Sequence, residues 1–472
     1  MPGSGPGPSG ALPLSELRGR PVLVAGAGVT GAPVAAALAE LGAEVTVTDG
    51  NAERLTGLPA GVVGRPGLTE PPPGTALVVT SPGWRPESPL LAAAARAGIE
   101  VIGEPELAWR WTAPGGPAGA APPPRWLVVT GTNGKTTTVE MLRAILLAAG
   151  RDAVACGNIG TPVIDAVRAG HRDLAVELSS FQLYWSPSLR PAAGCLLNIA
   201  EDHLDWHGGM AGYLRAKVRA LTGEVAVAGV DDPVVADALA AAPAARRVGV
   251  TLGEPAPGQL GVAGGALVDR AFADGPVELL PADGVRPPGP PGLLDALCAA
   301  ALARAAGVGP DGVRDGLGGF APGPHRGAVV AEVGGVRYVD DSKATNPHAA
   351  AAALAGHRRV VWVAGGQLKG ASVTELILQH AHRLVGVVLV GTDRAMFRDA
   401  LLRHAPDVPT TEVPPGEHEP MTDAVRRAAG MAHPGDVVLL APAAASLDQF
   451  AGYAARGQAF VAGVEALSAA GR

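Results

Sequence analysis

The chain has 472 residues, 47% of them hydrophobic and 17% charged; that balance excludes a disordered polymer, and the length suffices for three ordinary domains. A net charge of -7 without a long basic run argues against a nucleic-acid-binding surface, and no apolar stretch reaches membrane-spanning length. The three cysteines, Cys156, Cys195 and Cys298, lie at no metal-ligand spacing and fit a reduced, cytoplasmic protein.

The opening MPGSGPGPSG lacks the basic and apolar parts of a signal peptide, so residues 1–18 read as a disordered lead-in. PVLVAGAG then predicts a strand running into a helix, followed by strands at EVTVTD, ALVVTSPG and IEVIG. A Pro/Gly-rich break over residues 113–124 ends this segment. WLVVTGTNGKTTTVEMLRAILLAAG reads as strand, loop and helix, with further strands at LAVELSS and GCLLNIAED. Residues 251–292, again rich in Pro and Gly, read as an insertion or hairpin excursion inside the same segment. A second break near residues 320–327 precedes VRYVDDSKATN, VVWVAGG, VGVVLVG and DVVLLAPAAAS, each a strand ending in a polar loop. Strands alternating with helices predict parallel α/β sheets. The expected fold class is α/β with three domains: a Rossmann-like domain over 19–123, a central P-loop ATPase domain over 124–322 and a Rossmann-like domain over 323–472. Ligands in such sheets bind at the carboxyl ends of the strands.

Lysine is scarce. Only four of the 37 basic residues are lysines: Lys135, Lys217, Lys343 and Lys369. Each stands in a polar motif, which suggests jobs that a guanidinium cannot do, since only an ammonium can shed its proton and act as a nucleophilic amine. Asparagine is similarly sparse, and Asn133, Asn158, Asn198 and Asn346 fall in or beside the same segments.

In GTNGKTT, Gly131 and Gly134 free the backbone to wrap phosphates at a helix N-terminus. Lys135 is placed to reach β- and γ-phosphates and Thr136 to hold Mg²⁺. The spacing is shorter than in the usual P-loop, and a glycine turn with an incidental lysine is the bland alternative. Gly26, Gly28 and Gly31 of GAGVTG satisfy G-x-G-x-x-G, and Asp49 ends the next strand. That motif alone fits NAD(P) or the diphosphate of another nucleotide equally well. Glu177 ends LAVELSS, and His203 follows NIAED with Asp202, Asp205 and His207 around it. A carboxylate and an imidazole beside a phosphate loop are plausible Mg²⁺ ligands, although a lone histidine is more often structural.

GTNGKTT, GNIG, ELSSFQL, EDHLDWHG, DDSKATN and APAAASLDQF, in this order, resemble the Mur ligases, the ATP-dependent amide ligases of peptidoglycan precursor synthesis. The resemblance runs from about residue 19 to the C-terminus. It implies a cytoplasmic enzyme acting on small molecules, a UDP-muramoyl acceptor and an amino acid, with ATP and two Mg²⁺ ions. No nucleic-acid or membrane partner is expected, and the expected state is a monomer. By this resemblance Gly131, Thr132, Asn133, Gly134, Lys135, Thr136 and Thr137 serve ATP, joined by Asp295, Arg326 and Asp341. Thr136 and Glu177 would hold one Mg²⁺; His203 and a carbamylated Lys217 would hold the second. Lys135, His203 and Lys217 are the expected catalytic residues. Gly28, Thr30, Gly31, Asp49, Ser81 and Gly83 would line the uridine-nucleotide site, and Asn158, Ser179 and Gln182 the muramoyl site. Lys343, Thr345, Lys369, Ser446 and Tyr453 would shape the amino-acid site. A lysine with hydroxyls suits a side-chain carboxylate, so a dicarboxylic amino acid, D-glutamate foremost, is expected.

The sequence departs from the family at Pro291-Gly292-Leu293-Leu294-Asp295, where H-N-x-x-N is usual, and the acid common after His-Arg is missing at His325-Arg326-Gly327-Ala328. These departures keep two alternatives open: a diverged paralogue with another substrate, or an ATP-binding protein that has lost turnover.

Overall fold

The computed structural model describes residues 12–113, 116–118, 122–414 and 419–470. Of the lead-in expected over 1–18, residues 1–11 lie outside the described residues. Leu14–Leu17 forms a short 3-10 helix with Leu14 and Leu17 buried. Residues up to Ile199 together with Leu204–Phe320 form one compact unit, and Ala200–His203 with the residues from Ala321 onward form a second.

The first unit holds two sheets. Strands β1 (Pro21–Ala25), β2 (Glu44–Thr48), β3 (Val63–Gly64), β4 (Leu77–Thr80) and β5 (Glu100–Gly103) lie parallel in the order β3-β2-β1-β4-β5. The chain reverses direction across the sheet between β1 and β4, so the loops after these two strands flank the crevice where such sheets take ligands.

The second sheet contains β6 (Arg125–Thr130), β7 (Ala153–Gly157), β8 (Asp173–Glu177), β9 (Ala193–Leu196), β10 (Val225–Gly229), β11 (Arg246–Val250), β12 (Gln259–Ala263), β13 (Ala266–Asp269) and β14 (Val277–Pro281). Their order is β14-β13-β12-β11-β10-β9-β6-β8-β7. The switch point lies at β6, between β8 and β9. The excursion expected over 251–292 is the antiparallel extension β12-β13-β14. Arg304 Nε donates to Asp269 Oδ2 at 2.8 Å, tying that extension to the helix Pro290–Ala305. Strands such as β6 and β8 are buried on both faces, which is why they read as continuous apolar runs rather than alternating ones.

Side chains of the first sheet's helices join one apolar cluster with the back of the second sheet, from Leu107 and Trp111 to Trp126, Val163, Ile164 and Val176. Arg110 braces this layer, bonding Glu100 and Glu106, and Glu106 in turn accepts the backbone N–H of Ser188 at 3.1 Å.

The second unit carries β15 (Ala328–Val333), β16 (Val336–Asp340), β17 (Val360–Gly365), β18 (Leu384–Val390), β19 (Thr410–Glu412) and β20 (Val437–Leu440) in the order β15-β16-β20-β17-β18-β19. Only the β15–β16 pair is antiparallel. DDSKATN, GGQLKG, GTD and APAAAS therefore leave the same edge of this sheet, at the carboxyl ends of β16, β17, β18 and β20.

Candidate active site

The loop after β6 takes the shape its glycines permit. Gly131 has φ +158° and Gly134 has φ +84°, the latter in the left-handed region that a side chain resists. Gly134 is the N-cap of the helix Lys135–Ala148 and has no side chain to cap it; a helix N-terminus is a place that suits an anion. A Cβ on Gly134 would collide with the Asp295 carboxylate, and one on Gly131 would lie 2.9 Å from Leu197 Cβ. Lys135 Nζ folds back onto Gly131 O at 3.0 Å and Thr132 O at 2.8 Å. Asn198 latches the loop from β9: its Oδ1 accepts Asn133 N at 2.9 Å and its Nδ2 donates to Asn133 O at 3.2 Å. The structure thus brings Gly131, Thr132, Asn133, Gly134, Lys135 and Asp295 together, with Thr136 and Thr137 buried in the first helical turn.

Lys217, the last residue of the helix Met210–Lys217, reaches the same loop from behind. It is 1% exposed, and its Nζ donates to Gly131 O at 2.7 Å. The ammonium lies 4.7 Å from the centre of the Tyr213 ring, and the Tyr213 hydroxyl meets Thr132 Oγ1 at 3.1 Å. Glu177 ends β8 in register with Val129 of β6, one strand from the phosphate loop. Asn158 Nδ2 donates to Glu177 Oε1 at 2.8 Å, whereas the buried Oε2 has no hydrogen-bond partner. An orphaned, buried carboxylate oxygen suits a hard cation, and Mg²⁺ commonly takes one or two carboxylates together with substrate phosphates. Glu177 beside the phosphate loop, with Thr136 in the first helical turn, fits that phosphate-completed mode; no group of three His, Cys, Asp or Glu side chains placed to hold a metal ion is found among the described residues. His203 belongs to the Ala200–His203 segment grouped with the second unit. It has φ +53°, and its Nε2 stands 3.5 Å from Asp202 Oδ2.

In the first sheet, Gly26 and Gly31 are compelled by close approach: a Cβ on Gly31 would strike Gly26 O, and one on Gly26 would strike Ser81 Oγ. Around Gly28 and Gly83 there is open space. Thr30 is the N-cap of the helix Gly31–Glu40 but makes no side-chain cap bond. Both Asp49 oxygens are engaged, Oδ2 by Ala27 N at 2.8 Å and Oδ1 by Asn51 N at 2.9 Å. Burial opposes the charge, but these N–H groups and Arg54 hold the carboxyl below the usual carboxylate range. Asp49 therefore anchors the glycine loop. Gly83, Trp84, Arg85, Glu87 and Ser88 line a cavity of about 490 Å³ beside it, and Arg85 pairs with Asp205. Ser179 and Gln182 form a capping box at the helix Ser180–Tyr184, which engages the Ser179 hydroxyl and the Gln182 amide oxygen with each other.

In the second unit, burial and the neighbouring Asp340 push the Asp341 carboxyl up to about 7, against the pull of Arg326 and the Gly327 N–H. Arg326 and Asp341, both expected at the nucleotide by the family resemblance, are thereby neighbours. Lys343 Nζ sits 4.1 Å from the Tyr453 ring centre. Thr345 follows on the same turn, its N–H bonded to Lys343 O at 2.8 Å. Lys369, with φ +51°, is exposed on the loop after β17, and Ser446 is buried on the loop after β20.

Four residues escaped the motif reading. Asn198 was visible only as a scarce residue type. The His325–Asp340 pair, Nδ1 to Oδ2 at 2.6 Å, joins residues fifteen apart without a pattern. Arg456 left a trace: it shares a helical stripe with buried Phe460 and Val464, so its spacing sets a cation on an apolar face.

The middle-domain model of the Mur ligases matches residues 129–258, and the Mur ligase glutamate ligase domain matches 325–444. A UDP-N-acetylmuramoylalanine–D-glutamate ligase of Rhodococcus jostii is 54% identical, over 97% of this chain and 97% of its own. The enzyme of the same name from Mycolicibacterium smegmatis is also 54% identical, over 95% and 97%. Among solved structures, the UDP-N-acetylmuramate–alanine ligase of Thermotoga maritima superposes with a TM-score of 0.55 at 17% identity, over 95% of this chain and 99% of that one. A pseudomurein peptide ligase of Methanothermus fervidus gives 0.55 at 18%, over 89% and 96%. These two show the shared fold. With identity above half along almost the whole length, and both domain models in sequence order, the chain belongs to the Mur ligase family.

Proposed function

We propose that the protein joins D-glutamate to UDP-N-acetylmuramoyl-L-alanine in peptidoglycan precursor synthesis, with ATP as the energy source. The observation that carries this reading is the 54% identity to ligases of that name across both full lengths. The phosphate loop braced by Asn198, Lys217 and Asp295 supports it physically. In the reaction the acceptor's terminal carboxylate oxygen attacks the γ-phosphorus, giving an acyl phosphate and ADP. The amine of D-glutamate then attacks the acyl carbon, loses a proton, and phosphate departs.

The loop N–H groups and Lys135 hold the β- and γ-phosphates and offset charge on the transferring phosphoryl group. Arg326 and Asp341 are assigned to the ribose of ATP, and Asp295 shapes the phosphate loop. Gly28, Thr30, Gly31, Ser81 and Gly83 surround the uridine nucleotide. Asn158 faces the muramoyl portion, and Lys343, Thr345, Lys369, Ser446 and Tyr453 receive the amino acid. Thr136 and Glu177 would hold one Mg²⁺, which supplies charge neutralisation at the phosphates. A second ion, with His203 and carbamylated Lys217 as ligands, rests on family resemblance and on the suitability of a carbamate oxygen for a hard cation. A cytoplasmic monomer with domains near 19–123, 124–322 and 323–472 completes the proposal. No described helix is long and apolar enough to cross a membrane.

The test is phosphate release from ATP with UDP-muramoyl acceptors crossed against D- and L-amino acids. D-glutamate with the L-alanyl acceptor is expected to give the highest kcat/KM. Lys343→Met should raise the KM for glutamate far more than that for ATP, because the lost charge mainly serves binding. Faster turnover with a neutral or basic amino acid overturns the reading.

A further inference from the structure

The loops that carry Lys343, Lys369 and Ser446 leave three different strands, yet one buried side chain from a fourth element touches the base of all three. Arg456, in the first turn of the helix Tyr453–Ala470, is 1% exposed. Its Nε donates to Ser342 Oγ at 3.0 Å and its Nη2 to Ser342 O at 2.9 Å. Its Nη1 donates to Ala444 O at 3.0 Å and more weakly to Gly365 O at 3.5 Å. Ser342 precedes Lys343, Gly365 opens the loop to Lys369, and Ala444 lies two residues before Ser446.

The arrangement is specific in three respects. No carboxylate lies within ion-pair distance of Arg456 among the described residues, so the guanidinium's partners are carbonyls and one hydroxyl. Burial pulls its pKa down to about 10, helped back by the more distant Asp448 and Asp340, so it stays charged at neutral pH. The same helical turn presses on the DDSK loop at one further point and on His325, whose imidazole pairs with Asp340 at the start of that loop. Ser342 Oγ donates to Tyr453 O at 2.8 Å, and a Cβ on Gly457 would run into the His325 ring. A buried cation without a paired anion is costly; a planar fork that fixes three loops at once is a use that a lysine cannot replace.

We infer that Arg456 is a positioning residue of the amino-acid site, the buried side chain that, with the backbone bonds Ala443 N to Ala344 O and Gln367 N to Ala445 O, sets the relative placement of Lys343, Lys369 and Ser446 and adds positive charge beneath an anionic substrate. The inference rests on the proposed function, which assigns those three residues to the amino acid. Arg456 does not touch substrate; it acts through the loops.

The test measures KM for D-glutamate, ATP and the UDP-acceptor separately on the full chain, with melting followed alongside. Arg456→Lys keeps the charge and loses the fork. It is expected to raise the KM for glutamate about tenfold, the effect of a disrupted charge-assisted hydrogen-bond set, with the other two KM values within about twofold. In Arg456→Ala, millimolar guanidinium is expected to restore part of the lost kcat/KM for glutamate. A folded Arg456→Lys with unchanged glutamate KM, or one in which all three KM values rise together, overturns the inference. Should both Arg456 variants fail to fold, Ser342→Ala decides: a glutamate KM raised about threefold, as for one hydrogen bond, supports it and an unchanged value overturns it. Glutamate-dependent phosphate release by the unmodified chain is the separate control. Its absence refutes the proposed function, whereas its presence with an unaltered Arg456→Lys refutes only the role of Arg456.

Discussion

Glu104 offers a quantitative check on the first unit. It stands at the start of the helix Glu104–Thr112, 1% exposed, and its Oε1 accepts the Ile164 N–H at 2.6 Å. Its Oε2 is buried without a partner. Burial drives the carboxyl from its ordinary 4.5 to about 7; the Ile164 N–H opposes the rise and the Asp165 carboxylate adds to it. The fold therefore prefers the protonated acid. Stability from this group is fully present below pH 4.5 and is lost as pH rises through about 7. At about 1.4 kcal/mol per pH unit, the gap from 4.5 to about 7 corresponds to roughly 3 kcal/mol.

Glu104→Gln keeps an acceptor for Ile164 and removes the titration. Any cost of its unpaired amide N–H is independent of pH, so the informative quantity is the difference in unfolding free energy between variant and wild type at each pH. Urea unfolding followed by tryptophan fluorescence reports on this unit, because six of the seven tryptophans precede residue 320. Between pH 5 and 9 the difference should shift by about 2.5 kcal/mol in favour of Glu104→Gln. A difference constant to within about 0.5 kcal/mol, the scatter of such measurements, refutes the argument that burial keeps this acid protonated.

Glu177→Gln should raise the Mg²⁺ concentration needed for half-maximal rate by tenfold or more, since an amide oxygen is a far poorer ligand for a hard cation; an unchanged Mg²⁺ titration would remove Glu177 from the metal site. Lys217→Ala should nearly abolish phosphate release, with partial recovery on adding a short carboxylic acid that supplies the lost oxygens; full activity in the alanine variant rules out the carbamate. With its carboxyl raised to about 7, Asp341 is ionised above that pH, and in its proposed ribose role it would accept hydroxyls best there. The KM for ATP should therefore fall several-fold from pH 6 to 8 in the wild type and stay flat in Asp341→Asn, and parallel profiles would dissociate Asp341 from the nucleotide. Calorimetric titration should show a UDP-sugar binding where NAD does not, and tight NAD binding alone would reverse the assignment of GAGVTG.

Where a function is built from neighbours in sequence, the sequence by itself determined it. GTNGKTT fixed a strand, a glycine turn and a helix N-terminus because positive φ at Gly134 and the helix dipole are local properties. The apolar runs of β6, β17 and β20 announced strands buried on both faces. The short strands Val63–Gly64 and Thr410–Glu412 left no such pattern, since two or three residues cannot display a period. Tertiary structure alone decided which groups meet across long separations. Asn198 reaches Asn133 over 65 residues, and Arg456 reaches Ser342 over 114. It also gave local residues partners within the fold: both Asp49 oxygens accept backbone N–H groups, and Ser179 and Gln182 bond each other as a cap. Most buried polar atoms find a partner wherever the fold brings one, and that partner is set by sheet order and helix packing, which no stretch of a dozen residues encodes.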